Sequence, residues 1–231
     1  MSGLADLMCP ESCAGCSRPA RGGLCLRCLG SLPRINGTGC ACCGRPGSRP
    51  APRCRDCRGR RLEFDLARQA VEYDRIVRTA IHRFKYSGCR SLGKPLAALV
   101  AELAAVHAPW PDALTWVCPS PERLRRTGTD HGRVLAEQVA GRLGRPAVPM
   151  LTRVRRTAPQ MKLDPDARRS NLAGAFRCTT CPPPEVVVVD DVFTTGSTAS
   201  EAARALKAAG AERVAVLCVA RSFAPDPGAY N

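Results

Sequence analysis

Residues 185 to 198 read EVVVVDDVFTTGST. Four β-branched apolar residues in a row suit a short strand buried on both faces, the setting of a parallel sheet covered by helices on each side. The run ends in two adjacent carboxylates, Asp190 and Asp191. A loop of small hydroxylated residues and glycine follows: Thr194, Thr195, Gly196, Ser197 and Thr198. Beyond it Ala199, Ala202, Ala203, Leu206 and Ala209 recur at helical spacing, with Gly210 placed to stop the helix. Taken singly, each piece has an ordinary structural explanation as core strand, turn or helix cap. The order of the pieces is what carries information.

That order suits a phosphorylated sugar. Backbone N–H groups of a turn, with the positive end of a helix dipole behind them, hold a phosphate dianion. Thr195, Ser197 and Thr198 add hydroxyl donors, and Gly196 lets the backbone approach a ligand closely. Carboxylates at the carboxyl edge of a parallel strand, where ligands of open α/β sheets usually sit, accept hydrogen bonds from sugar hydroxyls. The loop is not a Walker A motif, because the GxxxxGK[ST] spacing and its lysine are absent.

VVVVDDVFTTGST resembles the phosphoribosyl-pyrophosphate (PRPP) motif of type I phosphoribosyltransferases. The resemblance implies that Asp190 and Asp191 contact ribose hydroxyls and that residues 194 to 198 hold the 5-phosphate. It also implies displacement of pyrophosphate at the anomeric carbon, with Mg²⁺ bridging pyrophosphate and sugar oxygens. In such chemistry the protein mainly positions substrates and stabilises developing charge.

Ten of the fifteen cysteines precede residue 58. They include Cys13-x2-Cys16-x8-Cys25-x2-Cys28 and then Cys40-x2-Cys43-x10-Cys54-x2-Cys57, a repeat of one unit with two CxxC knuckles. Four thiolates at such spacing satisfy tetrahedral zinc in a closed, structural site that folds a segment too small for its own core. Sequential pairing within each repeat is favoured over interleaved pairing, which spacing does not exclude. Cys9 and Cys42 are left over, and Cys42 competes with its neighbour Cys43. Cys178-x2-Cys181 is a lone knuckle, read as incidental. Cys89, Cys118 and Cys218 read as small core residues.

A boundary near residue 61 divides a double zinc-ribbon domain (1–61) from a phosphoribosyltransferase-like domain (62–231). In the latter, apolar spacing predicts helices from Tyr73 to Phe84, from Leu92 to Val106 and from Val134 to Leu143, the last closed by Gly144. LTWVC at 114–118 and RVAVLCVAR at 213–221 read as strands, the first broken by Pro119 and Pro121. Strands alternating with helices imply an α/β fold with a mostly parallel sheet.

Three further segments resemble one branch of these proteins, the ComF family of competence-associated phosphoribosyltransferase-like proteins. They are RTAIHRFKYSGCRSLGKPLA at 78–97, VCPSPERLRRTGTD at 117–130 and TRVRRTAPQMKLDPDARRSNLAGAF at 152–176. The family's RGFN is replaced here by Thr127-Gly128-Thr129-Asp130. The resemblance implies that Arg123, Arg125 and Arg126 face pyrophosphate. It further implies that residues 152–170 form a flap rich in arginine (Arg153, Arg155, Arg156, Arg168, Arg169), with Gln160 to Leu163, Lys162, Asn171 and Phe176 in or at the base of that segment. The histidines His82, His107 and His131 show no ligand spacing and read as ordinary solvated or capping neighbours.

The net charge is +15, and the first 61 residues hold eleven arginines against three acids. Such a balance favours anionic partners. No segment reaches the ~18 apolar residues of a membrane span, and LAALVAELAAV at 96–106 carries Glu102. No secretory signal is visible, so a cytoplasmic setting with reduced thiols is expected. Three functions compete: Mg²⁺-dependent phosphoribosyl transfer, single-stranded DNA binding beside a DNA-uptake helicase or translocase, and a scaffold that keeps the phosphate loop without turnover. With aromatics at 4% of residues, any DNA contact would be electrostatic rather than by base stacking.

Overall fold

The structure, a computed structural model, describes residues 12–155 and 174–223. Cys9, Arg156, Gln160 to Leu163, Arg168, Arg169 and Asn171 lie outside the described residues.

Four strands form a parallel sheet: β1 (Leu66–Glu72), β2 (Ala113–Trp116), β5 (Glu185–Phe193) and β6 (Arg213–Arg221). Their order is β1-β6-β5-β2, which makes β5 and β6 central. Val186, Val187, Val188 and Val189 are all fully buried. They alternate between two cores: Val187 and Val189 point to one face, Val186 and Val188 to the other. Each such side chain is worth about 1.5–3 kcal/mol when removed from water, so this register excludes any one-residue slip of β5.

Helices α2 (Arg75–Tyr86), α3 (Gly93–His107) and α5 (His131–Leu143) cover the first face, and α6 (Ser197–Ala208) covers the second. Helix α2 starts where Asp74 accepts a hydrogen bond from the Val77 N–H at 2.8 Å, and it buries Val77, Ala80, Ile81 and Phe84 as its spacing predicts. Val106 departs from expectation: it lies on the predicted apolar stripe of α3 yet is 72% exposed. The two prolines after β2 do more than break a strand. Ser120 caps a short helix, α4 (Pro121–Thr127), with Pro121 in the first turn, where its missing N–H leaves no bond unmade.

A second, antiparallel pair joins β3 (Leu151–Arg153) to β4 (Phe176–Cys178). It brackets residues 154–175, with buried Phe176 beneath the Arg153 guanidinium at 4.8 Å.

The cysteine-rich region, which among the described residues includes one short helix α1 (Leu26–Gly30), packs into both cores. Cys13, Ala14, Leu24, Cys28 and Leu32 share the α2/α3/α5 core, whereas Cys40, Cys43, Cys57 and Phe64 share the α6 core. The two repeats therefore lie against opposite faces. The first approaches so closely that a Cβ on Gly15 would meet Cys28 Sγ at 2.7 Å and Ile76 Cγ2 at 3.1 Å.

Candidate functional site

The cysteines gather as sequential repeats. Cys13, Cys16, Cys25 and Cys28 form one cluster and Cys40, Cys43, Cys54 and Cys57 the other, with the four sulfurs of each within 4.8 Å of one another. Sulfur separations of 3.8 Å (Cys16–Cys25), 3.7 Å (Cys43–Cys54) and 4.0 Å (Cys40–Cys57) match the edge of about 3.8 Å that 2.3 Å bonds give a zinc tetrahedron. Backbone N–H groups already point at sulfur: Gly15 and Cys25 donate to Cys13 Sγ at 3.3 Å, and Cys54 donates to Cys40 Sγ at 3.2 Å. Donors arranged so suit thiolates. The Arg18 guanidinium draws the Cys16 thiol down to about 6, toward the thiolate a metal requires, whereas burial raises the Cys28, Cys43 and Cys57 thiols. Cys42 stays outside both clusters, and burial raises its thiol. Cys178 turns away to a local bond with the Thr180 carbonyl at 3.2 Å, and Cys181 is exposed.

Asp190 and Asp191 lie near the carboxyl end of β5, which stays paired with β6 through Phe193 before the chain leaves the sheet. The Asp190 carboxylate accepts from the Asp191 N–H at 2.8 Å. Burial, followed by the adjacent Asp191 charge, pushes the Asp190 carboxyl up to about 7, while Lys85, its backbone bond and Arg123 oppose the rise. Asp191 is ion-paired with Lys85 from the last turn of α2. Next comes Phe193, buried against Phe64 edge-on with centroids 6.1 Å apart.

The loop then turns sharply. Gly196 has φ +76°, and a Cβ there would meet the Phe193 ring at 2.6 Å, so only glycine fits both the backbone and the space. Thr195 Oγ1 and Ser197 Oγ lie 3.0 Å apart, and the Ser197 N–H reaches Thr195 Oγ1 at 3.4 Å. The N-cap residue of α6 is Gly196, which has no side chain to bond the first turn, and Thr195 Oγ1 takes the Ser197 N–H instead. Thr194 is exposed, Thr195 and Thr198 are half-buried, and Gly196 and Ser197 are buried.

The three candidate arginines divide. Arg123 is half-buried and its charge reaches Asp190. Arg126 is exposed and lies over the Tyr86 ring at 5.5 Å. Arg125 is exposed. Beside them a cavity of about 290 Å³ is lined by Lys85, Tyr86, Arg90, Arg126, Thr129 and His131, among others. Arg90 donates to Thr129 Oγ1 at 3.2 Å across its rim. His131, read from sequence as a capping neighbour, is 8% exposed and meets Phe84 edge-on at 5.2 Å. Burial, then the Arg123 and Lys85 charges, lower its pKa, so the imidazole stays neutral.

Two site neighbours escape a sequence reading. Lys85 sits in the RFKYSG segment that carries part of the family resemblance, and that is the signal that marks it. Arg60, which donates to the Thr195 carbonyl at 2.8 Å, carries no local signal at all in a run of arginines.

A parallel sheet covered on both faces, with an acidic pair and a small-residue loop at the carboxyl end of a central strand and two Cys₄ clusters ahead of it, defines a type I phosphoribosyltransferase fold preceded by paired metal-ribbon clusters. The chain is 30% identical over 228 residues to the DNA utilization protein YhgH of Escherichia coli O6:H1, covering 94% of this chain and 100% of that one. It belongs to the family of DNA utilization protein YhgH and competence protein F. To competence protein F of Haemophilus influenzae it is 29% identical, with 91% and 95% of the two chains covered. To competence protein ComFC of Bacillus subtilis it is 28% identical over 79% of this chain and 77% of that one. No family model matches the chain. Among solved structures, the glutamine PRPP amidotransferase of B. subtilis is similar over 59% of this chain and 30% of that chain, at 20% identity and a TM-score of 0.41. The orotate phosphoribosyltransferase of Aeropyrum pernix is similar over 65% and 67%, at 21% identity and a TM-score of 0.35. Among the described residues, no helix is long and apolar enough to cross a membrane.

Proposed function

We propose that the β5–α6 turn binds the ribose 5-phosphate end of PRPP or a related ribose phosphate, and that the protein does so in DNA uptake or utilization. The observation that carries this reading is the Asp190–Asp191 pair near the carboxyl end of a buried central strand, shortly ahead of a loop whose buried glycine is the N-cap of a helix. In this reading residues 194 to 198 hold the phosphate and the two aspartates accept from ribose hydroxyls. Arg126 in the cavity wall and Arg123, whose charge reaches Asp190, neutralise the pyrophosphate end, and Arg125 plays a lesser part.

Both carboxylates are already engaged, Asp191 by Lys85 and Asp190 by a backbone N–H. A Mg²⁺ ion therefore fits best as a guest of the ligand's own oxygens, with these carboxylates near it, and when bound it would offset charge on the leaving pyrophosphate. Neutral His131 in the cavity wall offers an acceptor group without adding charge. The two Cys₄ clusters would hold one structural Zn²⁺ each, the four thiolates filling a tetrahedral site.

Calorimetric titration of the zinc-replete protein with PRPP and Mg²⁺ tests the reading. Saturable binding to wild type, lost in the Asp190→Asn/Asp191→Asn double variant, supports it; no heat and no thermal shift with wild type overturns it.

A second reading, single-stranded DNA binding beside an uptake translocase, draws on the relatives' names and on the basic cysteine-rich region. Its signature is affinity for oligonucleotides that falls steeply with salt. It is compatible with the first, since a ribose-phosphate site at the β5–α6 turn leaves the exposed arginines of the ribbons available for electrostatic contact.

A further inference from the structure

The second cysteine repeat reaches the phosphate loop itself. Arg60 follows Cys57 by one short turn. That turn is folded back by Arg53, whose guanidinium donates to the Arg60 carbonyl at 2.7 Å and the Cys57 carbonyl at 3.2 Å. Arg60 in turn donates through Nη1 to the Thr195 carbonyl at 2.8 Å and the Asp56 carbonyl at 3.3 Å. One guanidinium therefore ties the knuckle of Cys54 and Cys57 to the rim of the loop.

The consequence lies in the peptide between Thr195 and Gly196. It is planar and trans, so its C=O and N–H point in opposite directions. Holding the carbonyl on Arg60 turns the Gly196 N–H away from the ribbon. A glycine at this point has little intrinsic preference between the two orientations of the peptide, because no Cβ opposes either. If the peptide flipped, a carbonyl oxygen would stand where a donor is needed, and an anion would meet a negative dipole end.

The floor of the loop is held from the same side. Gly196 rests on Phe193, and the buried Arg221 guanidinium lies over that ring at 5.1 Å. Arg221 donates to the Cys43 carbonyl at 2.7 Å and to Gln69 Oε1 at 3.1 Å, with Nη2 3.5 Å from Cys43 Sγ. Rim and floor both lean on the second repeat, and the first repeat lies against the other face of the sheet.

We propose that Arg60 is a positioning residue for the ribose-phosphate site: it orients the Thr195–Gly196 peptide so that the Gly196 N–H serves as a phosphate donor, which makes the second ribbon a working part of that site. The inference rests on the ribose-phosphate reading above. It assigns Arg60 no contact with the ligand.

The test uses the full-length, zinc-replete chain and its Arg60→Ala, Arg60→Lys and Arg58→Ala variants, Arg58 being an exposed neighbour. Two quantities are read: the Gly196 amide resonance by ¹⁵N NMR without ligand, and PRPP affinity with Mg²⁺ by calorimetry. Loss of one well-oriented donor weakens binding by about tenfold. Arg60→Ala is expected to show that loss and to shift the Gly196 resonance while keeping its zinc. Arg60→Lys should recover part of both, and Arg58→Ala should change neither. A Gly196 resonance unmoved in Arg60→Ala overturns the proposal, even if affinity falls, because Arg60 would then act by charge alone. Wild-type protein that binds no PRPP overturns the ribose-phosphate reading instead, and the Gly196 shift still decides whether Arg60 sets the peptide.

Discussion

The Lys85 ammonium is ion-paired with the Asp191 carboxylate, and the two side chains are only 11% and 20% exposed. The pair joins the last turn of α2 to β5, and the Lys85 charge opposes the rise that burial and the Asp191 charge impose on the Asp190 carboxyl. Without Lys85, two adjacent carboxylates would share a poorly solvated strand end, and the Asp190 carboxyl would be pushed up further.

Lys85→Met should therefore destabilise the protein by about 2 kcal/mol, since it strands a partly buried carboxylate. Adding Asp191→Asn should recover most of the loss. Urea denaturation of the two single variants and the double variant measures the coupling, and a coupling free energy near zero would show that the pair is ornamental.

Asp190 makes the site pH-dependent. Its carboxyl titrates at about 7 in the folded chain against 3.8 ordinarily, raised by burial and then by Asp191. Between pH 4 and pH 7 the folded state thus holds a proton that the unfolded state has released. This group's contribution to stability declines as pH rises through that window and is level above it. Ligand binding runs the other way, because ribose hydroxyls need the carboxylate form as acceptor. PRPP affinity should rise about tenfold from pH 6 to pH 8, and Asp190→Asn should remove the part of the rise that belongs to the protein rather than to the ligand's phosphates. An identical pH profile in wild type and variant would refute this.

Zinc content separates Cys42 from its neighbour. Wild type and Cys42→Ser should each carry two ions per chain by elemental analysis, one for each Cys₄ cluster, and Cys43→Ser should carry one. Retention of two ions by Cys43→Ser, or loss of one by Cys42→Ser, would reassign the ligands. Because Cys43 also meets Arg221, its replacement should lower the melting temperature more than Cys16→Ser does.

Gly196 and Gly128 share a left-handed backbone, φ +76° and +64°, but only Gly196 faces an obstacle. Gly128→Ala should cost about 1 kcal/mol, the conformational penalty alone. Gly196→Ala adds the clash with Phe193 and should cost at least twice that, together with most of the affinity for ribose phosphates. Equal losses of stability in the two variants would mean that the Phe193 ring yields without cost.

Much of this architecture is local and so is legible along the chain. The valine run announces a strand buried on both faces because β-branched residues without polar alternation leave no face for water. Helix α2 and strand β6 follow from the spacing of their apolar residues, and the CxxC repeats mark both clusters because a knuckle is a few residues long. Strand β1 is not legible in the same way. Its LARQAVE sequence places Arg68 and Gln69 side by side, and Gln69 is 2% exposed only because Arg221 from β6 supplies a partner. Helix α4 hides behind two prolines that also read as a plain break.

The amino-acid order alone determined which segments become strand, turn, helix and metal knuckle, since those choices depend on neighbours within a few residues. It also marked the acidic pair and the small-residue loop as one unit. Only the tertiary structure decided what stands beside that unit: Lys85 against Asp191, Arg221 over Phe193, and Arg60 on the Thr195 carbonyl 135 residues away. Those contacts exist because the sheet brings distant segments to one edge and the two cysteine repeats close over opposite faces. Contacts between residues so far apart leave no periodicity in the chain, and their energy depends on burial that arises only once the two cores have formed.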